Sequence, residues 1–156
     1  MTGDFLWDCS VYSKKNKKNN EDDAFINEIK GLSNTAVAYA REFNKQFDYS
    51  AESIESLEEI LDYYSKDISV SKPTDNQIWS MSLIFGSYLG ETILKNGFAQ
   101  KGYRWGKEGT SRIPLLVCDD GWRVTPIDKV YKRLVNGSSD NVASFYFIIS
   151  THDYAK

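Results

Sequence analysis

Between Asn76 and Lys95 the chain sets Ile78, Trp79, Met81, Leu83, Phe85, Tyr88, Leu89, Ile93 and Leu94 at helical spacing. At 100° per residue these side chains cover well over half the circumference, which predicts a central helix packed on more than one side. Gly86 and Gly90 fall inside the apolar arc. Each costs about 1 kcal/mol in helix propensity, so their presence predicts that another segment comes very close to the helix there. Asn96-Gly97 supplies the stop. Whatever fold the chain adopts must be wrapped around this element.

The flanking segments supply the wrapping. From Asp22 onward Phe25, Ile29, Leu32, Ala36, Tyr39, Phe43 and Phe47 recur at threes and fours, predicting an amphipathic helix that Gly31 is placed to break or bend. A second helix is predicted from a Ser50 cap, with Ile54, Leu57, Leu61 and Tyr64 inward and Glu52, Glu55, Glu58, Glu59 and Asp62 on a solvated face. Past Gly97 the period changes to two. Tyr103–Lys107, Arg112–Cys118 and Trp122–Thr125 read as short strands, the last two joined by a type I′ turn at Asp120-Gly121. Pro126 opens a further helix that Gly137 closes. In the tail, Val142, Phe145, Tyr146 and Ile149 fit a helix and Ala143, Phe145, Phe147 and Ile149 a strand; helix is the favoured reading.

The expectation is therefore one α+β domain over 1–156. Residues 1–21 are partly flexible with a possible strand at Phe5–Tyr12 and a solvated loop at Ser13–Asn20, residues 22–97 are mainly helical, 98–126 form a small antiparallel sheet, and 127–150 form one or two helices. At this length a core can bury most of the apolar surface without a cofactor or disulfide framework. None is expected. Cys9 and Cys118 lack the pairing of a redox or zinc motif, and no run reaches the ~18 apolar residues of a membrane span. The N-terminus lacks a signal-peptide pattern, so a cytoplasmic location is expected, with no membrane partner.

Charge is unevenly distributed. From Glu21 to Asp67 there are twelve acids against four bases, and from Lys95 to Arg133 nine bases against four acids. Such a two-sided chain can steer a partner or dock one half on the other.

Catalytic chemistry finds little support. Glu91 shares the least apolar stripe of the central helix with Ser80, Ile84, Ser87 and Lys95, which predicts a surface pair with Lys95; a partly buried glutamate held by Arg104 or Arg112 is the alternative. The lone His152 lies in a polar tail, Cys118 reads as a small buried side chain, and Asp119-Asp120 as turn residues. No phosphate-binding glycine loop and no clustered metal ligands occur. What remains is a set of candidate binding residues on or beside the strands: Tyr88, Glu91, Arg104, Trp105, Arg112, Trp122 and Arg123. Interleaved arginine and aromatic side chains anchor protein partners or stack on bases, and equally occur as core tryptophans beside solvated arginines.

Tyr88-Leu-Gly-Glu91, Gly102, Trp105, Pro114-Leu-Leu, Asp120-Gly121 and Pro126 with Val130, Arg133 and Gly137 form a pattern, preceded by Tyr49-Ser-Ala-Glu-Ser53. Over roughly residues 48–150 it resembles a group of small bacterial proteins of unknown function, in which a helix ending in Tyr-Leu-Gly-Glu precedes a Trp-bearing hairpin region. Here Gly102-Tyr-Arg-Trp105 stands in place of the group's Gly-Gly-x-Trp. The resemblance implies no catalytic residues and associates the chain with antidotes to bacterial toxins. The leading expectation is a non-enzymatic, immunity-like module that binds another protein. A small-ligand or hydrolytic pocket near Glu91 and Trp105 is the alternative, and single-stranded nucleic-acid binding is the less favoured third reading.

Overall fold

The computed structural model describes residues 21–151. The expectations for Phe5–Tyr12, Ser13–Asn20, Cys9 and His152 lie outside the described residues. Five helices and a small sheet follow in the order α1 (Glu21–Glu42), α2 (Ser53–Ser71), α3 (Asp75–Ile93), β1 (Arg104–Gly106), β2 (Leu115–Val117), β3 (Arg123–Val124), α4 (Pro126–Asn136) and α5 (Val142–Thr151). A π-helical turn, Leu94–Phe98, ends α3 where Gly97 takes φ 119°. The sheet is an antiparallel meander in the order β1-β2-β3. The fold is α+β as the sequence leads one to expect, and the tail is helical. No helix among the described residues is long and apolar enough to cross a membrane.

Helix α3 is the centre. It packs chiefly against α4 and α1, while α2 packs against α4 and α5. Residues 80–93 are all buried, including Ser80, Ser82, Ser87 and Glu91. Its start is set by a reciprocal capping box, in which Thr74 Oγ1 accepts from the Gln77 amide and the Gln77 side chain accepts from the Thr74 amide. An aromatic cluster fills the space on one side: Phe85 lies 6.3 Å from Tyr39, 6.4 Å from Phe47 and 5.8 Å from Tyr64 between ring centroids. Tyr88 stacks on Phe47 at 4.2 Å.

The two glycines mark the closest approaches. A Cβ at Gly86 would sit 2.6 Å from the Ile127 Cα of α4, and one at Gly90 would sit 2.3 Å from the Trp105 ring. Both distances are far inside van der Waals contact. At Gly86 the obstacle is backbone, which cannot rotate away. Gly86→Ala is therefore expected to destabilise the fold by about 1–3 kcal/mol despite alanine's better helix propensity, because overpacking outweighs that gain. Urea unfolding followed by circular dichroism checks this; an unchanged or raised midpoint would contradict it.

Several local expectations are corrected. Helix α1 runs through Gly31 without a break, and no neighbour lies within 4 Å of where a Cβ would sit there, so one isolated glycine costs the helix only about 1 kcal/mol. Helix α2 begins at Ser53 rather than directly after Ser50. Ser50 instead closes a preceding turn, where its Oγ accepts from the Ser53 amide at 3.2 Å and its carbonyl oxygen accepts from the Ser53 hydroxyl. The β2–β3 connection is a five-residue loop, with the Gly121 amide donating to the Cys118 carbonyl and the Cys118 amide to the Trp122 carbonyl, rather than a two-residue type I′ turn. Gly121, at φ 99°, takes the left-handed position that this loop needs.

Candidate functional site

Strand alternation sorts the candidate residues. Register pairs Trp105 with Leu116 and Leu116 with Val124, and all three are buried. The next row pairs Arg104 with Val117 and Val117 with Arg123, and both arginines are exposed. One sheet face thus closes onto α3, and the other presents two arginines directly across Val117. Trp122, just ahead of β3, is 48% exposed, and Arg112 and Ile113 are exposed in the β1–β2 connection. Of the two candidate tryptophans, Trp105 belongs to the core and Trp122 to the surface.

Glu91 stands differently from the expected surface pair. It is only 5% exposed, and the Trp105 Nε1–H donates to its Oε2 at 2.8 Å. Lys30 of α1 donates to Oε1 at 3.3 Å, while Lys95 lies 3.8 Å from the same oxygen. The Lys95 pair is present, but the alternative partners Arg104 and Arg112 are not. Arg104 instead pairs with Asp119 at 3.1 Å, and Arg112 makes no ion pair with a described residue. The helical wheel places Glu91 on the least apolar side of α3 correctly; that side is buried too, because α1 and the Trp105 ring cover it. The carboxylate is a knot joining α1, α3 and β1.

Tyr88 is fully buried and occupied. Its hydroxyl oxygen accepts from the Tyr49 amide at 2.8 Å and shares a hydrogen bond of 2.7 Å with Ser53. Burial raises its ionisation above the ordinary tyrosine value, so the ring stays neutral in the core. Tyr49 itself takes φ 64°, a left-handed conformation costly for an aromatic residue. Three contacts hold it there: the Tyr88 bond, a 2.8 Å bond between its hydroxyl and Ser33, and a 2.9 Å bond from Asn96 to its carbonyl. The Tyr49–Ser53 and Tyr88–Glu91 segments of the sequence pattern therefore meet in one structural joint.

A second buried charge is one that the sequence does not announce. Arg133 of α4 is 1% exposed and forks onto α2: Nε and Nη2 donate to Glu58 Oε2 at 2.9 and 2.7 Å, and Nη2 also donates to Asp62 Oδ1 at 2.8 Å. Glu58 Oε1 accepts from the Val142 amide at the start of α5. Burial opposes the guanidinium charge, yet the bonds to Glu58 and Asp62 outweigh it and raise the affinity for the proton. Asp62 is held below the ordinary carboxylate range by Lys66 and then by Arg133. Of the expected solvated face, Glu58 is thus a largely buried anchor, and Asp62, its side chain 37% exposed, closes the fork from the rim. Their i,i+4 spacing sets the two carboxylates on one stripe within reach of a single fork, but nothing local in the sequence singles them out from the other acids of α2.

Among the described residues no three His, Cys, Asp or Glu side chains are grouped to hold a metal. Cys118 is buried and donates weakly to the Lys101 carbonyl at 3.7 Å. Of the sequence-predicted binding residues, Arg104, Arg112, Trp122 and Arg123 are exposed, while Tyr88, Glu91 and Trp105 are buried. No protein family, curated protein or solved structure matches the chain.

Proposed function

We propose that this chain is a non-enzymatic protein-binding module that recognises an acidic protein surface through the outward face of its sheet, in the manner of a bacterial immunity protein. The observations that carry the reading are Arg104 and Arg123, exposed in one row of the sheet, and Trp122, 48% exposed at the loop position directly before Arg123. Tryptophan and arginine are the side chains that most often dominate protein interfaces. The arginines' present partners, Asp119 for Arg104 and Glu108 for Arg123, form exposed pairs. Such pairs contribute little, about 0–1 kcal/mol, and exchange readily for a partner's carboxylates. Arg112 brings a further charge, and Trp105, bonded to Glu91, supports the sheet from its buried side.

Affinity capture from the source organism with the wild-type chain and with Trp122→Ala tests the reading. A stable partner should be retained by the wild type and weakened at least about 30-fold by the substitution, the scale of a 2 kcal/mol hot spot. Trp122→Ala should keep the wild-type circular-dichroism spectrum, so that a loss of capture reports binding rather than unfolding. Equal capture by both proteins would overturn the proposal. For the immunity role, co-expression with a toxic product encoded nearby should restore growth with the wild type and not with Trp122→Ala.

A further inference from the structure

A second surface shares no residue with the sheet face. The ten residues of helix α5 include no charged side chain, and only Val142 and Ile149 among them are buried. Phe147 is 67% exposed and Ile148 48%, so two large apolar side chains adjoin on the solvent side of one short helix. Single apolar residues on a surface are ordinary, whereas contiguous apolar surface rimmed by polar groups is the form of an interaction site.

The rim here is acidic. Helix α5 runs back along α2: Glu58 holds the Val142 amide, and nearer the end of α5 the charge of Glu52 reaches Tyr146. Burial raises the Tyr146 ionisation, a hydrogen bond with Ser150 lowers it, and Glu52 raises it again. Glu52 and Glu55, at the start of α2, are both exposed, and their carboxylates make no hydrogen bond or ion pair with a described residue. Cations bordering α2 and α5 are already committed: Lys129 to Asp140 and the Phe145 ring, Lys45 to Glu59, and Lys66 to Asp62. The last turn of α5 carries no basic residue, although the helix dipole favours a cation there. Negative potential without a counter-charge therefore flanks Phe147 and Ile148.

We propose that this face docks a basic amphipathic segment of a partner protein, its apolar side covering Phe147 and Ile148 and its lysines or arginines meeting Glu52 and Glu55. Desolvating the apolar anchor supplies affinity, and the charges at its rim steer the encounter and reject partners of the wrong sign. An acidic apolar segment gains the first contribution and is opposed by the second. The expected partner is opposite in sign to the one proposed for the sheet, so the two faces do not compete for one surface.

The test is a two-dimensional amide NMR titration of the full chain with a synthetic amphipathic peptide of about 15 leucines and lysines, long enough to form a helix. Its control carries glutamate in place of every lysine. The lysine peptide should shift the amides of Glu52, Glu55, Phe147 and Ile148 saturably, and the glutamate peptide should bind at least about ten times more weakly. Phe147→Ser should lower affinity at least about tenfold, and Glu52→Gln with Glu55→Gln at least about fivefold with a flatter salt dependence, each with an otherwise unchanged spectrum. Equal binding of the two peptides, shifts centred away from α2 and α5, or wild-type affinity in either variant would each overturn the proposal. So would sedimentation of the free chain as a dimer that Phe147→Ser dissociates, because a second copy then occupies the face.

Discussion

Arg133→Met is expected to destabilise the protein by about 3–5 kcal/mol, the usual result of removing one partner from a buried charge network. The substitution keeps side-chain volume and removes the fork, leaving Glu58, whose side chain is 13% exposed, without its counter-charge. Against a total stability of about 5–15 kcal/mol such a loss is severe. It also reaches further than one contact, because Glu58 fixes the first amide of α5 as well as the guanidinium of α4. Arg133→Lys should recover part of the loss, since a single ammonium can satisfy one carboxylate but not the fork across Glu58 and Asp62. Combining Arg133→Met with Glu58→Gln and Asp62→Asn should recover more, because the stranded charges are removed while the side-chain amide oxygen introduced in place of the Glu58 carboxylate can still accept from Val142. Urea unfolding gives all three values. A loss below about 1 kcal/mol for Arg133→Met would mean that the fork behaves as a surface pair.

The second large effect belongs to Trp105. Trp105→Ala should cost about 3–5 kcal/mol by emptying the space against Gly90 and Pro126, with a further penalty because Glu91 Oε2 loses its indole donor. Trp105→Phe separates the two contributions. It keeps an aromatic ring in place and removes the N–H, so its cost is expected at about 1–3 kcal/mol, the scale of a buried polar group left without a partner. The ordering alanine worse than phenylalanine, and phenylalanine worse than wild type, is the expected result in thermal or urea unfolding. A neutral Trp105→Phe would mean that the indole–carboxylate bond contributes nothing to stability.

These sites show what the sequence made legible. The all-round apolarity of α3 and its inward glycines announced a central helix with close neighbours, and the neighbours are Ile127 and Trp105. Period-two alternation marked the strands but left Arg104 and Trp105 together among the candidate binding residues; the register, which sets Trp105 opposite buried Leu116 and Arg104 opposite Val117, is what separates them. Burial of Glu91 was not legible. A wheel ranks the faces of one helix against each other, and where the whole helix is enclosed the least apolar face is enclosed as well. The role of Arg133 was hidden for a related reason: its partners lie on α2, more than seventy residues away, and local charge patterns cannot report a pairing made by tertiary packing. The α5 segment was ambiguous because helix and strand templates both fit its apolar residues. Burial of Val142 and Ile149, one helical face apart by seven residues, decides for the helix.

Within the Gly86 to Pro126 stretch, the buried Glu91 carboxylate ties α3 to β1 and α1, and the proposed recognition falls to the exposed Arg104, Arg112, Trp122 and Arg123 of the same stretch. A double-mutant cycle between Glu91→Ala and Trp105→Phe, measured by urea unfolding, tests that claim most directly. If the two side chains form a buried, charge-assisted bond, the double variant should be more stable than the sum of the single losses implies, by about 1–3 kcal/mol. Additivity within about 0.5 kcal/mol would contradict the account and return Glu91 to the residues available for binding or catalysis.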